Sequence, residues 1–259
     1  MELLLYQVDA FSGSVFGGNP AAVCPLTDWP DDRTLLSIAA ENNLSETAFF
    51  VRKKEYFELR WFTPTTEVDL CGHATLASAF VILSEIEPDR NEVTFETQSG
   101  TLIVTREGGL LAMDFPSRKP ERCEAPENLV KALQTDPIEV FCSRDFLVVY
   151  ENEEIIKSIR PDMELLKKLD LLGVIVTAPG KDVDFVSRFF APKVGVPEDP
   201  VTGSAHCTLI PYWANRLKKK KLHALQLSSR CGELFCEDMN DRVKIAGSAA
   251  LYLKGTIFI

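Results

Sequence analysis

Short runs of alternating apolar and polar residues dominate the chain, and a period of two predicts a half-buried strand. Leu3 to Asp9, Thr47 to Arg52 and Phe57 to Phe62 read this way, with β-branched or aromatic residues in each. Glu92 to Thr97, Thr101 to Glu107 and Leu110 to Phe115 predict a meander, its last turn made by Gly108-Gly109. The second half repeats the style at Ile138 to Cys142, Asp145 to Tyr150, Gly173 to Ala178, Phe185 to Phe190, Leu222 to Ser228, Glu233 to Glu237 and Arg242 to Ala246. Asp31 to Asn42 reads as a helix. Two more, from about His73 to Glu85 and from about Ser204 to Lys218, are apolar nearly all round, as helices enclosed by sheet should be. Pro211 is expected to kink the last of these or to mark its true start. One enclosed helix per half, with no Gly-x-Gly-x-x-Gly after a strand, predicts an α+β fold and not a dinucleotide-binding βαβ unit.

The two halves also repeat each other in sequence. Arg60-Trp61-Phe62-Thr63-Pro64 runs on to Cys71-Gly72-His73-Ala74-Thr75 and an apolar segment. Arg188-Phe189-Phe190-Ala191-Pro192 runs on to Asp199-Pro200-Val201-Thr202-Gly203-Ser204-Ala205-His206 and another. Arg188 stands 128 residues after Arg60 in a chain of 259. The duplication predicts two pseudo-symmetric lobes facing each other, 1–117 and 118–250, with a functional site at their seam. Pro116 to Pro126, with three prolines, is the expected linker. Shifted by the same offset, Glu46 falls on Val174. A carboxylate where the twin carries an aliphatic residue is not required by architecture, which makes Glu46 the first candidate for chemistry.

Composition narrows the function. The formal net charge is −10, which argues against a nucleic-acid surface. The only basic run, Lys218 to Lys221, closes a predicted helix, where cations are favoured by the helix dipole. No apolar run approaches the ~20 residues that cross a bilayer, and the first residues lack the basic start of a signal peptide. Seven cysteines without Cys-x-x-Cys spacing fit reduced thiols in a cytoplasmic protein.

Both central helices begin with small or polar residues, Gly72-His73 and Gly203-Ser204, where backbone N–H groups and the positive dipole end form an anion site. Plain N-capping by Thr202 or Ser204 is the alternative. His73 is a candidate to orient a carboxylate or shuttle a proton, or a structural histidine; His206, deeper in its helix, reads as packing. Asp199 is either a loop acid or a site carboxylate. Glu46 lies between Leu44 and Ala48-Phe49-Phe50-Val51, where partial burial would make it a useful base, although solvation is the commoner fate of such a residue. Cys71 and His73 offer two metal ligands with no further Cys/His cluster, so no metal is expected. Cys71 as nucleophile would use His73 as its base; a two-thiol racemase would need a second cysteine at the matching turn, where Asp199 to Ser204 stand.

Taken with Asp9-Ala10-Phe11, Phe16-Gly17-Gly18-Asn19-Pro20-Ala21-Ala22-Val23 and Asn43-Leu44-Ser45-Glu46-Thr47-Ala48-Phe49, these motifs resemble the phenazine-biosynthesis isomerase-like (PhzF-like) family, relatives of diaminopimelate epimerase and proline racemase. The resemblance spans essentially the whole chain. It implies two open β-barrel-like lobes, each around a central helix, with the last strand, 251–259, returning to the first lobe. It implies an isomerase that moves a proton between carbons of a small carboxylate, with Glu46 as acid/base. His73, Asp199 and Ser204 would assist, with backbone N–H groups around Gly72 and Gly203. Relatives are usually homodimers and use no cofactor. Gly18 and Asn19 would shape the pocket, although a tight turn accounts for them equally well. A cysteine-dependent racemase or epimerase and a non-catalytic small-molecule-binding or scaffold protein are the alternatives.

Overall fold

The alternation read from the sequence becomes strands in both halves of the computed structural model, which describes residues 1–259. Two units form, Met1–Asp114 with Ala246–Ile259, and Phe115–Ile245, against boundaries of 117/118 and 250/251 drawn from the sequence.

The first unit contains β1 (Glu2–Ala10), β2 (Asn19–Leu26), α1 (Asp32–Asn42), β3 (Glu46–Arg52), β4 (Phe57–Phe62), β5 (Glu67–Val68), α2 (Gly72–Val81), β6 (Glu92–Thr97), β7 (Gly100–Glu107) and β8 (Leu110–Pro116). The C-terminal strand, Ala249–Phe258, returns to pair with β1. The sheet runs C-terminal strand, β1, β2, β3, β4, β6, β7, β8, with parallel pairs only at β2–β3 and β4–β6. Along β3 the side chains split by parity. Phe49 and Val51 pack with Leu35, Ile38 and Ala39 of α1, which leaves Glu46 on the face toward α2. Helix α2 is buried on nearly every side, and its hydroxyls are satisfied within the helix: Thr75 Oγ1 donates to Cys71 O and Ser78 Oγ to Ala74 O. Its expected continuation to Glu85 is a π-helical turn, Ile82–Ile86.

The second unit contains β9 (Glu121–Arg122), α3 (Glu127–Leu133), β10 (Glu139–Cys142), β11 (Phe146–Val149), α4 (Glu153–Ser158), α5 (Met163–Leu166), β12 (Val174–Pro179), β13 (Phe185–Ala191), β14 (Val196–Asp199), α6 (Gly203–Leu217), β15 (Lys221–Gln226), β16 (Gly232–Asp238) and β17 (Arg242–Gly247). Its order β9, β10, β11, β12, β13, β15, β16 carries parallel pairs at β11–β12 and β13–β15. Over these seven strands the pairing pattern repeats that of the first unit from its C-terminal strand to β7. Leu129, Leu133, Ile156 and Leu166 of the short helices pack on Val174, Val176 and Ala178, while Thr177 accepts from Trp213 Nε1 of α6 at 3.0 Å. The expected linker is not loose: Ser117 N donates to Asp241 O, and Glu121 and Arg122 pair with β10.

Helix α6 neither starts nor stops at Pro211. A proline at 211 has no N–H for the carbonyl four residues back, Cys207 O. Arg118 N donates to that carbonyl instead, at 2.9 Å, so the gap in the ladder is filled from another part of the chain.

The duplication extends to side chains, and this fixes the correspondence between the units. Arg60 grips Glu67 with Nε and Nη2, both at 2.7 Å; Arg188 grips Glu198 in the same way at 2.7 and 3.0 Å. Arg60 faces Phe49 across the β3–β4 ladder, and Arg188 faces Val176 across β12–β13. Phe49 therefore corresponds to Val176, and Glu46 to Gly173. The constant offset that placed Val174 opposite Glu46 slips by one residue, and in a strand one residue reverses the face. Val174 corresponds to Thr47 and lies in the core beneath α3–α5.

Candidate active site

In the first unit three elements bring their first residues together. Glu46 opens β3, His73 lies in the first turn of α2 and Asn19 opens β2. His73 Nε2 stands 3.2 Å from Glu46 Oε2, an ion-pair contact without good hydrogen-bond alignment, since that oxygen has no aligned donor. On the other side of the ring Asn19 Nδ2 lies 3.2 Å from His73 Nδ1, and Cys71 Sγ lies 3.6 Å from the same nitrogen. Asn19 is fully buried, and the side chains of His73 and Glu46 keep 7% and 17% exposure, so access to the cluster is through the carboxylate.

Burial alone would lower the pKa of His73. The Cys71 sulfur and the Glu46 carboxylate outweigh it, and the net shift is well upward from 6.5. Burial, then the Glu46 charge, raise the Cys71 thiol above its ordinary 9.0, so at neutral pH it stays protonated.

The helix start beside this cluster has no side-chain cap: Cys71 occupies the N-cap with extended φ/ψ and caps no N–H. That leaves the first-turn amides around Gly72 available to an anion. The loop leading to Asn19 is held in an unusual shape. Phe11 and Phe16 take φ of 61° and 73°, and Asp9 Oδ2 accepts from Phe16 N at 2.8 Å. Gly18, at φ 61°, could not carry a side chain, because a Cβ there would sit 2.1 Å from Ala10 O.

The second unit carries Asp199, Gly203 and Ser204 at the start of α6. Thr202 does not cap the helix, as plain capping would require; its hydroxyl donates to Asp199 Oδ2 at 2.6 Å. Gln226, fully buried in β15, organises this turn. Its Oε1 accepts from Thr202 N at 2.8 Å, and its Nε2 donates to Asp199 O and Thr202 Oγ1 at 2.9 and 3.0 Å. Nothing in the sequence singles out Gln226, which looks like one more inward residue of an alternating strand. His206 is fully buried; its Nδ1 lies 2.8 Å from Thr202 O, and burial lowers its pKa to about 4, so it packs as a neutral ring.

Gly173, the counterpart of Glu46, is hemmed in: a Cβ there would meet the Phe189 ring at 2.5 Å and Asp145 Oδ1 at 3.1 Å. Asp145 is a carboxyl that sequence reasoning missed. It is 1% exposed, neither oxygen has a well-aligned donor, and burial raises its pKa against the opposing Arg144 and Arg118 charges and the nearby Gly173 N–H.

A family profile described as phenazine biosynthesis-like protein (PhzC-PhzF) matches residues 8–255. The chain belongs to the PhzF family. It is 53% identical over 259 residues to an uncharacterised isomerase of Pseudomonas aeruginosa, covering all of both chains. A PhzF-family phenazine biosynthesis protein from Enterococcus faecalis superposes with a TM-score of 0.98 at 48% identity, again over all of both chains. At 8% identity the likeness to a hydroxyproline epimerase from Agrobacterium vitis concerns the fold alone; its TM-score is 0.62, over 99% of this chain and 92% of that one. The chain is thus an isomerase of the PhzF family with an epimerase-like α+β fold. None of its helices is long and apolar enough to cross a membrane.

Proposed function

We propose that this isomerase moves a proton between two carbons of a small carboxylate substrate without a cofactor, with Glu46 as the acid/base. The observation that carries the reading is the contact of Glu46 with His73 beside an uncapped helix start. The substrate carboxylate binds at such a start, around Gly72 of α2 or Gly203 and Ser204 of α6, and the helix dipole also stabilises charge that develops as a C–H bond breaks. Glu46 takes the proton from carbon, the electron pair delocalises into the substrate's unsaturated system, and the carboxyl, its proton exchangeable with solvent, returns a proton to a different carbon. His73 Nε2 orients the carboxylate and shares the proton, with its ring held from behind by Asn19. Asp199, fixed by Thr202, accepts a hydrogen bond from a donor on the substrate.

The test is NMR in D₂O with a panel of small carboxylates, dihydro-hydroxyanthranilate and amino acids included. Glu46→Gln should lose ~10²–10⁴-fold in deuterium incorporation with unchanged circular dichroism; exchange at the wild-type rate would sink the assignment. A cysteine-dependent racemase is the second reading, supported by the 3.6 Å approach of Cys71 Sγ to His73 Nδ1. It requires exchange to vanish in Cys71→Ser and to survive in Glu46→Gln.

A further inference from the structure

We propose that a cationic hollow at the C-terminal end of α6 binds a nucleotide-like ligand, a planar ring carrying two or more phosphates. The hollow has a volume of about 850 Å³, within the ~300–1,000 Å³ of ligand pockets. Lys119, Arg216, Lys218, Lys219 and Lys220 line it against two carboxylates, Glu139 and Asp238. Two of these cations are already engaged, Arg216 with Glu139 and Lys219 with Asp184 at 2.6 Å. Lys218 Nζ donates to the neutral Asn215 amide at 3.1 Å, and Lys119 and Lys220 have no ion-pair partner. Their positive charges are left for a ligand, in a chain whose net charge is −10.

The helix dipole accounts for Arg216 and Lys218, in or just past the last turn, but not for the whole group. Lys119 comes from a different segment, held beside α6 by the bond from Arg118 N to Cys207 O. Lys218 takes φ 54°, so the chain leaves the helix there, and lysines 218 to 220 line the hollow instead of extending α6. Lys220 is anchored in turn, its carbonyl accepting from Asp238 N at 2.9 Å. The inner wall is apolar: Phe141 and Tyr212, half-buried with ring centres 5.2 Å apart, stand beside Pro120, Pro211 and Ala214. A planar ring stacks on such a surface whatever its hydrogen-bonding edge, while its phosphates reach the lysines. A nucleic-acid strand needs a basic track along its backbone. Here the cations are confined to one hollow of an acidic chain, which suits a single free nucleotide. Helix α6 spans 15 residues, ~21 Å at 1.5 Å per residue, and so separates the hollow from Gly203 and Ser204 at its other end. The inference therefore does not depend on the proposed proton transfer.

The experiment is calorimetric titration of the full chain with ATP, adenosine, tripolyphosphate and a short single-stranded oligonucleotide at ~0.15 M salt. Amide NMR shifts locate the ligand. The expected result is one ATP per chain with a Kd of ~1 mM or tighter. Shifts should centre on 119–120, 139–141 and 212–220, and adenosine and tripolyphosphate should each bind more weakly than ATP. Lys119→Ala with Lys220→Ala should weaken ATP and tripolyphosphate by ~10-fold, from two exposed charges worth up to about fivefold each. Phe141→Leu should weaken ATP by ~5-fold or more through lost stacking and leave tripolyphosphate unchanged. Lys131→Ala with Lys167→Ala removes the same charge from exposed positions on α3 and at the end of α5, and should change nothing. All the lysines are exposed, so their loss does not endanger folding. No saturation by ATP, equal losses from the two lysine pairs, an unchanged ATP affinity in Phe141→Leu, or an oligonucleotide that binds more tightly than ATP overturns the inference.

Discussion

Removing Glu198 should cost much more stability than removing Glu67, although the two glutamates hold equivalent arginines in equivalent ways. Arg188 has a side chain 9% exposed; its Nη1 donates to the carbonyls of Ile156 and Ile159, and its charge lies 4.9 Å from the centre of the Phe190 ring. A guanidinium cannot shed its proton, so Glu198→Ala leaves a buried cation with carbonyl partners only. Breaking a buried ion pair from one side typically costs 3–5 kcal/mol. With Glu198 itself a quarter exposed, we expect ~2–4 kcal/mol. Arg60 is more open, at 22% exposure, and keeps Asp32 Oδ1 at 2.8 Å after Glu67→Ala. That variant should cost about 1 kcal/mol, near the range of exposed pairs. The difference, at least ~1 kcal/mol, is a change of about fivefold or more in the unfolding constant. Urea denaturation of both variants, with midpoints and slopes compared, reads it directly. Replacing both partners with apolar residues (Arg188→Met with Glu198→Leu) should recover most of the loss. Equal costs for the two alanine variants, or a double variant as unstable as Glu198→Ala, would refute burial as the cause.

Three further outcomes follow from geometry. Gly18→Ala should destabilise by ~2 kcal/mol or more, since φ is positive and Ala10 O stands in the way; a melting temperature within a degree of wild type would contradict this. His206 is neutral in the fold with its pKa near 4, so its contribution is complete above the unfolded value of 6.5 and is lost as pH falls toward 4. That amounts to ~3 kcal/mol at 1.36 kcal/mol per unit. His206→Leu should flatten the stability profile between pH 7 and 4, and an unchanged slope would show that the acid sensitivity arises elsewhere. Asp145 has its folded pKa raised, so ionising it opposes folding as pH rises past the unfolded carboxyl value. Asp145→Asn should match wild type near pH 4 and exceed it at pH 8; a variant less stable at pH 8 would mean the charge is compensated in the fold.

The sequence disclosed the repeat and most strands because alternation is local and survives in almost every sheet segment. Phe57–Phe62 and Glu92–Thr97 emerge with the ends expected from their pattern. β2 escaped because Asn19-Pro20 and Pro25 make Asn19–Leu26 read as turn chemistry, whereas the fold places those prolines at or near strand ends. The helix Glu127–Leu133 escaped because it follows the proline-rich stretch taken for a linker. At the site, residue types were legible and neighbours were not. Glu46 and His73 meet through the packing of a strand start on a helix start, and Asn19 joins them through a third element. The counterpart of Glu46 was misplaced by one residue because a fixed offset ignores the insertions that separate one pairing register from another.

The carbonyl of Cys207 and the amide of Arg118 bear on how the chain comes to be folded as it leaves the ribosome. A peptide spanning Gly203–Leu217 would lack the donor that Pro211 withholds, and should be a poor helix on its own. The missing donor lies upstream, so it has already been synthesised when the helix emerges. Synthesis in this direction supplies the partner first, whereas a circular permutant that places residues 116–122 after the helix would expose an unfinished helix until translation ended.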